Sequence, residues 1–129
     1  MNKNNFEINF NKNISNIIRN KIDELNNYKV ILREIIPKID IKEKENELKL
    51  TDSKLLEEIK NLFDEDCITD RTFKNIKDGS TSSSTFNVFI IIYVLNDLSN
   101  EINKRYISYG KNSAIKLIDI EELMIPLKA

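Results

Sequence analysis

The sequence predicts a mainly α protein bordering on α+β, and three observations predict it. Apolar residues recur at intervals of three and four over most of the chain, the spacing of one helix face. Only two glycines and two prolines interrupt the 129 residues, which leaves long regular elements joined by few tight turns. Hydrophobic residues make up 40% and charged residues 32%, enough apolar surface for one packed domain and enough charge to keep it in water.

The first element breaks the helical pattern. Phe6, Ile8 and Phe10 alternate with polar residues, which reads as a short half-buried strand. A strong helical period then carries Ile14, Ile18, Ile22, Leu25, Tyr28, Leu32 and Ile35. Pro37 stops it, because the residue before a proline avoids the helical region. Between Lys38 and Thr51 the period falls back to two, with Ile39 and Ile41 on one arm and Leu48 and Leu50 on the other. That stretch is either a small antiparallel hairpin with a charged tip, Glu43 to Glu47, or a solvated linker. Residues 1–51 together read as an N-terminal extension.

A core follows over 52–110. Thr51, Asp52 and Ser53 offer three good N-cap residues in a row, and Leu56, Ile59, Leu62 and Phe63 supply the apolar face of a helix over 53–63. Asp64, Glu65 and Asp66 favour a turn there, since negative charge is unfavourable at a helix C-terminus. Thr69 caps the next helix, Phe73 and Ile76 form its buried face, and Gly79 ends it by turning left-handed without a Cβ clash. Beyond the hydroxyl-rich loop Ser80 to Ser84, an apolar helix starts near Thr85 and runs to Gly110, with Phe89 and Tyr93 as core residues. Its middle, Val88 to Leu95, could be a buried strand if taken alone, but the length of the whole pattern favours a helix. Residues 111–129 form a tail on the same domain, and Ala114 to Ile120 is apolar enough for a strand that pairs with the hairpin.

Several chemistries are excluded or unsupported. The chain has no histidine and a single cysteine, Cys67, so a His-based triad, a structural zinc site and an internal disulfide have no material. Cys67 stands beside three acids, which suppress a thiolate nucleophile. Two glycines cannot build a phosphate-cradling loop. Glu47-Leu48-Lys49, with Asp40 upstream, faintly matches the carboxylate-and-lysine pattern of metal-dependent nucleases, but in a chain this rich in charge it arises by chance. The expectation is a non-enzymatic protein with no cofactor and no metal. The polar leader has no apolar signal region, and Val88 to Leu95 falls well short of the ~20 residues of a membrane span. The expected compartment is the cytoplasm, with no membrane partner.

The information is concentrated in 68–79, ITDRTFKNIKDG. A capped helix, a turn, Ile68-Thr69 opening a second helix, Phe73, Ile76, Gly79, a small-residue loop and an apolar helix to Leu98 follow in that order. Over about residues 52–98 this resembles the Xre family, the phage-repressor-like helix-turn-helix proteins. The resemblance implies a small DNA-binding transcriptional regulator, of the kind phages and mobile elements carry, acting as a homodimer on double-stranded DNA. It places Asp70, Arg71 and Asn75 where the family's base-reading residues lie, next to Thr69 at the helix head. Arg71 suits guanine, Asn75 adenine and Asp70 the amino group of cytosine. Lys74 and Lys77 suit phosphates, which position without specifying. Ser80, Ser82 and Ser83 stand before a helix N-terminus and either bind a phosphate there or simply cap the helix.

Charge opens a second reading. The net charge is −1, whereas a phosphate-binding domain usually carries a basic excess. A protein-binding module on the same scaffold would set the Asp64–Asp66 turn against a partner with a basic surface. A phage-encoded inhibitor of a host defence complex, or an antitoxin-like partner, is of that kind.

Overall fold

The computed structural model describes residues 3–28, 31–32, 49–64, 67–79, 85–112 and 115–119. Among them are four helices: α1 (Lys3–Asn26), α2 (Asp52–Leu62), α3 (Asp70–Asp78) and α4 (Thr85–Ser108). The described residues contain no strand, so the mainly α expectation holds for them. No described helix is long and apolar enough to cross a membrane.

The strand expected over Phe6 to Phe10 is instead the first part of α1. A spacing of four between Phe6 and Phe10 satisfies a helix as well as a strand, and Phe10 extends the stripe of Ile14, Ile18 and Ile22. Five residues are too few to separate the two periods, and the strong helix downstream decides between them. At its other end α1 stops short of the expected Ile35. The chain turns at Asn27 and Tyr28, whose N–H groups bond back to Glu24 and Leu25, and Ile31 and Leu32 are helical again. Asn26 and Asn27 are poor residues for a helix interior, and the Asn26 Oδ1 accepts from the Leu50 N–H at 2.6 Å. The apolar period therefore outlives the helix. Residues 33–48, which hold most of the expected hairpin, with Glu47 and Leu48 of the Glu47-Leu48-Lys49 stretch, lie outside the described residues. Lys49 to Thr51 form no strand but lead into α2.

All four helices share one core. Ile14, Ile18, Ile22 and Leu25 of α1, Leu55, Leu56 and Ile59 of α2, and Phe73 and Ile76 of α3 surround α4. From α4 come Ile91, Val94, Leu95, Leu98 and Ile102. Each side chain this size contributes about 1.5–3 kcal/mol on leaving water. α4 touches the other three helices, as does α3. α1 thus contributes to that core. Its apolar stripe is used up inside the molecule.

The tail is held in an unexpected way. Residues 115–119 make no strand ladder. Instead the Asn103 amide accepts from the Ile115 N–H at 3.1 Å and donates to its carbonyl at 2.8 Å. Asn96 does the same for Ile118, at 2.8 and 3.2 Å. Each side-chain amide stands in for the peptide group of a neighbouring strand. The spacings match: seven residues along a helix span about 10.5 Å, and three residues of extended chain about 10 Å. Ile115 and Ile118 are buried as a result.

Candidate nucleic-acid interface

α3 begins and ends where local chemistry dictates. Thr69 has extended backbone, and its hydroxyl accepts from the Thr72 N–H at 3.1 Å, satisfying one orphan donor of the first turn. Gly79 closes the helix at φ 71°, and its N–H returns to the carbonyls of Asn75 and Ile76. Phe73 is fully buried and Ile76 nearly so, which fixes the rotation of the helix about its axis. α2 is capped in the same manner, with the Thr51 hydroxyl accepting from the Lys54 N–H at 3.3 Å.

Four contacts fix α3 against its neighbours. The Ser15 hydroxyl of α1, buried, donates to the Lys77 carbonyl in the last turn of α3. At the same point a Cβ on Gly79 would lie 3.1 Å from the Ser15 Cβ and 3.3 Å from the Asn11 carbonyl, so only glycine fits both the turn and the approach. Lys77 pairs with Asp52 of α2 at 2.7 Å, both partly exposed. Lys60, near the end of α2, lies 3.8 Å from Asp70 at the start of α3. The two ion pairs tie opposite ends of the helices together. Solvent screens both, so they orient more than they stabilise.

The residues singled out in the sequence fall into three groups. Asp70, Arg71 and Lys74 are exposed on one side of α3, and Asp78 joins them. Asn75 and Lys77 are half-buried at the edge of that side, and the Lys77 ammonium is engaged by Asp52 rather than held outward. The Thr69 hydroxyl is occupied within the helix cap, with Thr72 as partner through both N–H and hydroxyl. Ser80, Ser82 and Ser83 lie outside the described residues. The exposed side of α3 therefore offers two bases, Arg71 and Lys74, and two acids, Asp70 and Asp78. It carries no basic field.

The aromatic residues depart from expectation. Phe89 and Tyr93, read as core, are exposed, together with Phe86. Leu62 and Phe63, expected on the buried face of α2, are also exposed, while Leu55 takes the buried place. A separate cavity of about 500 Å³ opens between the ends of α1 and α4, with Tyr28, Ile31, Tyr106, Tyr109 and Lys111 in its wall. There the Tyr28 and Tyr106 rings meet edge-on at 5.1 Å. Burial, with help from Tyr106 and Glu24, pushes the Tyr28 hydroxyl pKa up. The described residues bring no three metal-ligating side chains together.

Ser15 and the two clasping asparagines went unremarked in the sequence, and Asp52 reads there only as a helix-capping residue, not as the partner of Lys77. Nothing local marks these pairings, because the partners are 62, 25, 22 and 12 residues away. No protein-family model matches the chain, and no curated protein and no solved structure does either.

Proposed function

We propose that the chain is a non-enzymatic, double-stranded-DNA-binding regulator that reads its site with α3, in the manner of a helix-turn-helix protein. The observation that carries this is the rotation of α3. With Phe73 and Ile76 buried and both ends capped, Arg71 and Lys74 stand exposed. An exposed N-terminal half of a short helix is what enters a major groove. Arg71 is the base reader, bidentate to guanine. Lys74 takes a phosphate, and Asn75 and Asp70 flank them.

Because acids balance bases on that side, binding depends weakly on salt: about one or two phosphates neutralised, a slope of roughly −1 to −2 in log K against log salt. Fluorescence anisotropy on duplex DNA over a salt series tests this. Arg71→Ala should cost about 1–3 kcal/mol against a selected site and relax its sequence preference. Lys74→Ala should weaken all sequences alike and flatten the slope by about one. No association at low salt would overturn the proposal.

A protein-binding role is the second reading, favoured by the balanced charge on α3 and the exposed aromatic residues Phe86, Phe89 and Tyr93 of α4. Retention of an unlike protein partner by a chain that ignores DNA is the outcome that selects it.

A further inference from the structure

Phe86, Phe89 and Tyr93 stand three and four residues apart at the head of α4, so a single helix face carries all three. They are 67%, 43% and 58% exposed. Phe63 joins them: it is 43% exposed, and its ring meets that of Tyr93 edge-on with centroids 5.5 Å apart. Leu117, 41% exposed, lines one groove with Phe89 and Tyr93. Scattered apolar side chains on a surface need no explanation, but a continuous patch does. These exposed fractions amount to about two and a half whole side chains, roughly 500 Å² at ~200 Å² each. That is near the top of what an ordinary monomer leaves uncovered.

We propose that this strip is the docking site of a second copy of the chain, related by a two-fold axis that sets Phe86, Phe89 and Tyr93 against their counterparts. Two copies would bury about 1,000 Å² of apolar surface from these residues alone, the threshold of a specific interface before any rim is counted. The strip itself is uncharged. Its groove carries one charge of each sign, Lys116 and Asp119, and acids flank it at Asp64, next to Phe63, and at Asp97, four residues on from Tyr93. The choice of a second copy over an unlike partner rests on the DNA-reader proposal, since a lone α3 makes too small a contact and paired readers engage two half-sites.

Sedimentation equilibrium of the full chain without DNA tests the surface. The expected result is self-association in the micromolar range, weakened at least about thirtyfold by Phe89→Asp. Ile107→Asp, at a 62% exposed position near the far end of α4, should leave it unchanged. Circular dichroism and a denaturant melt confirm that both variants remain folded. A monomeric wild type, a dimer indifferent to Phe89→Asp, or equal loss with Ile107→Asp would each overturn the proposal. A wild-type monomer that captures an unlike protein would assign the strip to that partner. Because no DNA enters the cell, this result stands or falls separately from DNA binding.

Discussion

α3 and α4 follow one another in the chain and could hardly be more different as sequences. α3 has nine residues, DRTFKNIKD, of which only Phe73 and Ile76 are apolar. α4 has 24 residues, with eight apolar ones in succession from Val88 to Leu95. In α3 two apolar residues at a spacing of three define one orientation, and the structure adopts it. In α4 every side of the helix is apolar through the middle, so no orientation is preferred by pattern alone. It packs against three neighbouring helices, and between Val88 and Leu95 the β-branched and aliphatic residues go inward while the aromatics stay out. Sparse hydrophobicity specifies a face. Abundant hydrophobicity specifies only burial, and packing chooses the face.

The sharpest way to break this contrast is to shorten one aromatic on each helix. Phe73→Ala should cost about 3–5 kcal/mol, read as a fall in the denaturant midpoint, because it empties a fully buried site. Tyr93→Ala should cost less than about 1 kcal/mol in the monomer, for want of a cavity to leave behind. Similar losses would mean that the face of α4 has been assigned wrongly. A smaller effect is expected at the junction of α3 with α1. Gly79→Ala should destabilise by about 1–3 kcal/mol, since φ 71° and the Ser15 contact at 3.1 Å both oppose a Cβ. Thermal melts should show that loss, and a substitution at Gly110, also left-handed but with open space around it, should cost less. Smallest and most local is Asn103→Ala. Two backbone groups of Ile115 lose their partner, worth about 1–2 kcal/mol. Hydrogen exchange should quicken at 115–119 and stay unchanged in α3.

Legibility followed the range of the interactions. Thr51, Thr69 and Gly79 act on backbone within four residues, so the limits of α2 and α3 could be read to within a residue. The boundaries of α4, at Thr85 and near Gly110, came from the same kind of signal. The break after Asn26 was not legible, because the apolar period runs on past it through Tyr28 and Leu32. Phe6 to Phe10 misled because four-residue and two-residue spacings coincide over so short a stretch. At the candidate interface, Arg71 and Lys74 could be placed outward from Phe73 and Ile76 alone. The diversion of Lys77 toward Asp52 could not, since it depends on how α2 lies against α3.

The clasp made by Asn96 and Asn103 grips the main chain of Ile115 and Ile118, whose side chains are buried, and the exposed side chains of Lys116 and Leu117 between them take no part in it. Evolution can thus redecorate that edge of the molecule, altering which surface it presents beside α4, while its anchorage stays constant. The tolerance has one limit: a residue inserted between Ile115 and Ile118 would break the match of lengths and leave one amide holding nothing.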